Sequence, residues 1–128
     1  MASSVLDASA LLVLLKEEVG GDKVIEALTE GAAISAINFS EVIAKLSESG
    51  MPEEAIHEAL DSLEMDIVGF DTQYAYKAGL LRSVTKSAGL SLGDRACLAL
   101  ARQLNLPAIT ADRVWEGVVE DVVVQLIR

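Results

Sequence analysis

The sequence predicts an α/β fold in which helices cover both faces of a parallel sheet. Short apolar segments rich in valine, isoleucine and alanine alternate with longer segments whose apolar residues recur at helical spacing. Strands that alternate with helices form parallel sheets, because each crossover helix returns the chain to the same end of the sheet. Largely apolar strands suit burial on both faces. We therefore expect a central sheet of about five parallel strands between two helical layers.

Glycine and proline residues divide the first part of the chain into elements. The Gly20-Gly21 pair ends the first helix, Gly31 breaks the second, Gly50 ends the third, and Pro52 suits the first turn of the fourth. The predicted strands are residues 4–7, 32–37 and 65–70, and the predicted helices are residues 8–17, 22–29, 38–49 and 52–63.

The second part continues the alternation. Asp71 has the side chain of a helix cap, so we place a helix from there to Arg82. The polar segment at residues 83–92 predicts the longest loop and the most mobile part of the chain. A helix at residues 93–104 and strands at 107–110 and 122–127 complete the fold. Because no repeat, linker or low-complexity segment intervenes, we expect one domain over residues 1–128.

Composition excludes some classes of protein. The longest apolar run, from Ala8 to Leu15, is too short to span a bilayer. The first residues lack the basic side chains of a secretory signal, and the single Cys97 permits no internal disulfide, so we expect a cytoplasmic protein.

The chain is strongly acidic. Its formal charge is -10, opposite to the basic surface of a simple nucleic-acid binder. An acidic cleft can still accept a phosphate when bound divalent ions reverse its sign. The excess of acid also suits a basic protein partner.

Four acidic residues stand just beyond predicted strands or at the start of a predicted helix, namely Asp7, Glu41, Asp94 and Asp112. The loops that leave the carboxyl ends of parallel strands meet at one edge of the sheet, so these acids are expected to converge there. Clustered carboxylates repel one another unless a cation neutralises them. Oxygen ligands without nearby histidine or cysteine favour Mg²⁺ over Zn²⁺.

Each acid also has a structural interpretation. Asp7 and Asp112 are placed to cap the helices that follow them. Glu41 follows Asn38, and Asp94 follows Ser91, at the three-residue offset of a capping box. Capping and metal binding are compatible at one position.

The segments around the four acids resemble the successive acidic motifs of PIN-domain ribonucleases. They are VLDASAL at residues 5–11, NFSEV at 38–42, LGDRACLALA at 92–101 and ITADR at 109–113. Their order and spacing match small single-domain members, which include the VapC toxins of bacterial and archaeal toxin–antitoxin pairs. The resemblance implies a PIN-like α/β/α sandwich and an endoribonuclease that depends on Mg²⁺ or Mn²⁺.

The resemblance also implies roles for individual residues. Asp7, Glu41 and Asp94 would hold the first metal ion. Asp112 would complete the site, directly or through water, and Thr110 would help to orient a metal-bound water. The number of ions, one or two, stays open.

Other side chains near the expected edge have two interpretations each. Ser9 matches a small-hydroxyl position beside the first acid, but a local hydrogen bond to the backbone is an equal alternative. Lys45, Lys86, Arg95 and Arg113 are candidate phosphate contacts or solvated surface residues.

The remaining distinctive residues carry less information. His57, the only histidine, lies among acidic residues in a predicted helix and is expected to be solvated. Cys97 is expected in the core. Trp115 is expected either beside the Asp112 loop or at a subunit contact.

The resemblance implies macromolecular partners as well as an RNA substrate. A VapB-like antitoxin would hold the toxin inactive, and a basic flexible tail would complement the charge of -10. Homodimers are common in the family, and the apolar stripes at residues 11–15 and 56–63 are candidate dimer surfaces unless they are core.

Two other functions are considered. A phosphatase of the haloacid dehalogenase type would use Asp7 as a nucleophile, but that family requires a second acid where this chain has Ser9. A noncatalytic module that keeps the fold only to bind a partner is the other alternative, although no motif acid is missing.

Overall fold

A computed structural model describes all 128 residues and contains one five-stranded sheet. The strands are β1 (Ser4–Leu6), β2 (Ala32–Ser35), β3 (Met65–Val68), β4 (Ala108–Thr110) and β5 (Val124–Leu126). They lie in the order β3-β2-β1-β4-β5, and every neighbouring pair is parallel. The predicted parallel sheet of about five strands is confirmed.

Seven α-helices connect or follow the strands. They are α1 (Ala8–Leu15), α2 (Gly21–Glu30), α3 (Ala36–Glu48), α4 (Glu53–Asp61), α5 (Thr72–Leu80), α6 (Arg82–Thr85) and α7 (Leu92–Leu104). Short 3₁₀ turns follow at Lys86–Ala88 and Arg113–Trp115. None of the helices is long and apolar enough to cross a membrane.

The strands bury side chains on both faces of the sheet. Val5 and Ala108 belong to the core cluster that includes the apolar side of α7, whereas their neighbours Leu6 and Ile109 pack with α1 and α2 on the opposite face. Successive residues of a strand point to opposite faces, so this alternation places one helical layer on each side. The fold is therefore the predicted PIN-like α/β/α sandwich.

The start of α3 differs from the prediction in a way that affects the site. Strand β2 ends at Ser35, whose hydroxyl accepts a hydrogen bond from the Ile37 amide at 3.2 Å and caps α3. The helix thus begins at Ala36 rather than at Asn38, which lies inside the first turn. The predicted capping box of Asn38 with Glu41 is wrong, because Asn38 is not the cap residue.

The segment at residues 83–92 is not the long loop that its polar composition predicts. It contains α6, the Lys86–Ala88 turn and the first residue of α7. Thr85 is fully buried and its hydroxyl donates to the Leu81 carbonyl at 2.8 Å, and Leu90 is also buried. These two residues anchor the segment to the core, which local composition does not reveal.

The two apolar stripes considered as dimer surfaces are mostly core. Leu11 of α1 is fully buried and packs in one cluster with Ile56 and Leu60 of α4. Leu12, Leu14, Leu15 and Leu63 are half-buried against the same cluster. Their apolar spacing is therefore explained by packing within the chain.

Candidate active site

The candidate site lies where the strand order reverses. The chain runs from β1 outward to β2 and β3, and then returns to place β4 and β5 on the other side of β1. In open parallel sheets this reversal leaves a crevice at the carboxyl ends of the two central strands. Asp7 directly follows β1, and Thr110 is the last residue of β4. Both predicted site residues therefore lie at the reversal.

Asp7 is buried and held by hydrogen bonds from three directions. Its side chain is 4% exposed and caps α1, because Oδ1 accepts from the Ala10 amide at 2.8 Å. The Thr110 hydroxyl donates to Oδ2 at 2.6 Å. The Ser9 hydroxyl lies 2.8 Å from Oδ1 and 2.9 Å from Oδ2. The carboxylate is thus fixed between α1 and β4.

Burial makes the charged form of Asp7 costly. It raises the pKa of the carboxyl from 3.8 to about 6, although hydrogen bonds from Thr110, Ala10 and Ser9 oppose the rise. The nearby Asp94 carboxylate raises this pKa further. A buried acid with a raised pKa beside a second acid is typical of a functional site.

Besides contacting Asp7, the hydroxyls of Ser9 and Thr110 each accept a hydrogen bond from a backbone amide just after β4. The Ser9 hydroxyl accepts from the Ala111 amide at 3.0 Å, so it links α1 to the end of β4 rather than to its own backbone. The Thr110 hydroxyl accepts from the Asp112 amide at 3.0 Å. The proton of Thr110 is committed to Asp7, so this hydroxyl orients that acid directly.

Glu41 is exposed, but its carboxylate has a defined position against α7. The Asn38 amide nitrogen donates to its Oε1 at 2.9 Å. On the other side the carboxylate lies over Gly93, where a β-carbon would fall 2.6 Å from Cδ of Glu41. Glycine is required here for this close approach, not for its backbone angles.

Asp94 is half-buried in the first turn of α7. It forms the predicted capping box, in which the Ser91 amide donates to Oδ2 at 3.0 Å and the Asp94 amide donates to the Ser91 hydroxyl at 3.2 Å. The Tyr74 hydroxyl of α5 donates to the Ala96 carbonyl, two residues further along α7. The start of α7 is thereby attached to its neighbours.

Asp112 lies at the start of the Arg113–Trp115 turn. It is exposed, and its Oδ1 accepts from the Val114 amide at 3.0 Å, so it caps the Arg113–Trp115 turn as predicted. Its own amide is bound to the Thr110 hydroxyl, which also contacts Asp7. Its backbone is therefore anchored to the site while its carboxylate faces solvent.

Three of the acids affect the pKa of one buried thiol. Burial raises the pKa of the Cys97 thiol well above its usual range, and the carboxylates of Asp7, Asp94 and Glu41 add to the rise. Two of these acids, Glu41 and Asp94, lie at the start of α7 beside Gly93. No three His, Cys, Asp or Glu side chains are close enough together to hold a metal ion in this arrangement.

The chemistry of the donors nevertheless fits a hard divalent ion. The accessible donors at this edge are carboxylate and hydroxyl oxygens, which suit Mg²⁺ or Mn²⁺. The lone histidine, His57, is exposed on α4 beside Glu53 at 3.5 Å, and the Cys97 thiol is fully buried. Asp112 is exposed, so its side chain can turn inward without disturbing the core.

Other residues singled out by sequence have simpler positions. Trp115 is fully buried in the cluster that includes Cys97, so it is a core residue. Arg95 donates to the Ala78 carbonyl at 3.1 Å and thus binds the backbone of α5. Lys45, Lys86 and Arg113 are exposed.

Sequence reasoning missed two residues of this site. Asn38 was interpreted as a cap, and Gly93 was given no role. A signal for Gly93 was available, because a glycine in the first turn of a helix often marks a close approach. Nothing local distinguishes Asn38 from an ordinary helical asparagine.

A family model identifies this chain through most of its length. The model described as PIN domain matches residues 4–120. The chain belongs to the PIN domain family. The predicted resemblance to the PIN domain family is thereby confirmed. A comparison with curated proteins finds no match.

Solved structures share the PIN fold over nearly the whole chain. A toxin-antitoxin complex from Klebsiella pneumoniae matches with 25% identity and a TM-score of 0.74, covering 94% of this chain and 96% of that one. A DNA-bound VapBC from Salmonella typhimurium matches with 19% identity and a TM-score of 0.78, covering 100% of both chains. VapBC-1 from nontypeable Haemophilus influenzae matches with 21% identity and a TM-score of 0.72, covering 97% of both.

Proposed function

We propose that this PIN domain is a metal-dependent endoribonuclease and the VapC-type toxin of a toxin–antitoxin pair. The observation that carries the proposal is the position of Asp7, bonded to Thr110, at the reversal of strand order. The Glu41 carboxylate lies over Gly93, which directly precedes Asp94. Membership of the PIN domain family and likeness to toxin-antitoxin complexes support it. Asp7, Glu41, Asp94 and Asp112 would hold Mg²⁺ or Mn²⁺, which supplies a Lewis acid for phosphodiester hydrolysis when bound.

The protein's own groups would prepare this edge for the reaction. Ser9 and Thr110 hold both oxygens of Asp7 in place from α1 and β4. Their hydroxyl donors stabilise the charged form of a carboxyl that burial would otherwise keep protonated. Asp112 is exposed, as Glu41 is, and would meet the RNA phosphate.

The phosphatase alternative is less well supported. Position 9 carries a serine that binds Asp7 rather than a second acid. A noncatalytic binding module would show no cleavage of any phosphate ester in the assay below.

Partners follow from the same proposal. A VapB-like antitoxin with a basic tail would complement the charge of -10 and cover the acidic edge. We also propose that the toxin acts in the cytoplasm and forms a homodimer. Sedimentation equilibrium of the purified protein would measure its oligomeric state.

Cleavage is expected to depend on a divalent ion. Purified protein should cut RNA with Mg²⁺ or Mn²⁺ and lose activity in chelator, because oxygen donors bind hard ions. Gel analysis of RNA products, with a small phosphomonoester as a parallel substrate, measures this. Robust RNA cleavage in chelator would contradict the metal mechanism, and phosphomonoester hydrolysis alone would support the phosphatase.

Growth arrest by the expressed protein should require all four acids of the proposed site. Expression of the wild type without an antitoxin is expected to arrest growth, whereas each neutralised acid variant should permit growth because cleavage falls by about 100-fold, as when one charge-stabilising group is removed. The variants are Asp7→Asn, Glu41→Gln, Asp94→Asn and Asp112→Asn. The controls are Glu53→Gln and His57→Ala on the exposed face of α4, which should still arrest growth. An inactive His57→Ala protein would show that the site lies elsewhere.

A further inference from the structure

Asn38 forms the only side-chain link between Glu41 and the start of α7. It is 1% exposed, and its amide nitrogen donates both to Glu41 Oε1 and to the Gly93 carbonyl, each at 2.9 Å. Gly93 directly precedes Asp94. The Asn38 amide therefore links two acids of the proposed site: it bonds Glu41 directly, and it bonds the backbone of the residue before Asp94.

The orientation of this amide is determined by its neighbours. Both groups that it meets on the donor side are acceptors, so the nitrogen and not the oxygen must face them. The opposite atom, Asn38 Oδ1, is buried and has no hydrogen-bond partner. The residue thus uses its donors fully and leaves its acceptor unpaired.

A purely structural role does not explain this arrangement. A buried acceptor without a partner destabilises a folded protein, and an apolar side chain of the same shape would avoid that cost. Asn38 also does not cap α3, since Ser35 does. Its two donor contacts instead hold an exposed carboxylate, which would otherwise move freely, against α7.

We propose that Asn38 is a positioning residue that fixes the Glu41 carboxylate relative to the start of α7 and thereby sets the affinity of the acidic site for its divalent ion. This inference rests on the proposed function. It extends that function because Asn38 touches neither ion nor RNA and acts through Glu41. Residues that orient metal ligands typically change metal affinity by about 10- to 100-fold when removed.

The test compares Asn38→Ala with a control variant that also loses a buried side-chain hydrogen bond. Thr85→Val is the control, because Thr85 is fully buried and bonds only backbone of its own helical segment. The rise of melting temperature with added Mn²⁺ measures ion binding without any cleavage assay. Asn38→Ala is expected to need about 10-fold more Mn²⁺ for the same rise in melting temperature, and Thr85→Val the same amount as the wild type.

A double mutant separates positioning from general weakening of the fold. If Asn38 acts through Glu41, adding Asn38→Ala to Glu41→Gln should leave the Mn²⁺ response of Glu41→Gln unchanged. A further loss in the double mutant would overturn the inference. Asn38→Ser, which removes less volume, repeats the comparison if Asn38→Ala does not fold.

The outcomes distinguish this inference from the function on which it rests. If the wild type responds to Mn²⁺ and cuts RNA but Asn38→Ala and Asn38→Ser match Thr85→Val, the positioning role is wrong and the function stands. If the wild type neither responds to Mn²⁺ nor cuts RNA, the proposed function fails and the inference fails with it. In the expected case kcat for RNA falls in Asn38→Ala while KM changes little.

Discussion

Asp7→Asn is expected to reduce cleavage by about 100-fold and yet to stabilise the metal-free protein near neutral pH. The folded pKa of Asp7, about 6, lies above the usual value of 3.8, so the folded state binds the proton more tightly. Stability from this group is therefore present at low pH and is lost as pH rises from about 4 through about 6. The shift corresponds to roughly 3 kcal/mol at neutral pH. Asparagine is neutral at every pH and caps a helix about as well as aspartate.

Thermal melts in chelator across pH 4 to 8 measure this effect. Asp7→Asn should melt above the wild type at pH 7 by up to roughly 10 °C, and the difference should shrink toward pH 4. Asp71→Asn is the matched control, because Asp71 caps α5 through the Tyr74 amide at 2.9 Å and is exposed. It should show no such pH-dependent gain. A lower melting temperature for Asp7→Asn at all pH values would mean that the charged carboxylate is a structural anchor.

Gly93→Ala is expected to lower the cleavage rate without lowering the stability of the fold. The added β-carbon would overlap the Glu41 carboxylate, which must then leave its place against α7. The displaced atoms are the end of an exposed, flexible side chain, so the fold accommodates the change readily. Alanine is favoured over glycine within a helix by up to about 1 kcal/mol. We expect cleavage to fall by about 100-fold, as when a catalytic group is displaced by about 1 Å, with no loss of melting temperature.

Gly79→Ala is the control for this substitution. Gly79 also lies in a helix, and a β-carbon there would meet no other atom within 4 Å. Cleavage rates and melting temperatures of the two variants, measured in excess Mn²⁺ and in chelator, form the comparison. Equal activity of Gly93→Ala and Gly79→Ala would show that the position of Glu41 in the structure is not the one used in cleavage.

The sequence predicted the layers of the fold because the periodicity of apolar residues is a local property. Val5 and Leu6 lie on opposite faces of β1, as alternation within a buried strand requires. Boundaries were less well predicted. Ala36 and Ile37 continue the apolar character of β2, so the strand was extended into α3, whereas the Ser35 cap ends it two residues earlier.

Polar composition misled the prediction at residues 83–92. Serine, lysine and glycine there are typical of a loop. The burial of Thr85 and Leu90, together with the hydrogen bond from Thr85 to Leu81, makes the segment helical and part of the core. That burial depends on packing partners distant in the sequence, so a local pattern does not contain it.

The sequence by itself determined the α/β/α class, the order of the acids and their capping roles at Asp7, Asp94 and Asp112, since each depends on neighbours within a few residues. Only the tertiary structure decided which distant groups meet: Thr110 with Asp7 across the reversal of strand order, and Gly93 of α7 with Asn38 of α3. These two hydrogen bonds join residues that are 103 and 55 positions apart. Their geometry is set by how helices pack on the sheet, and no spacing in the chain encodes it.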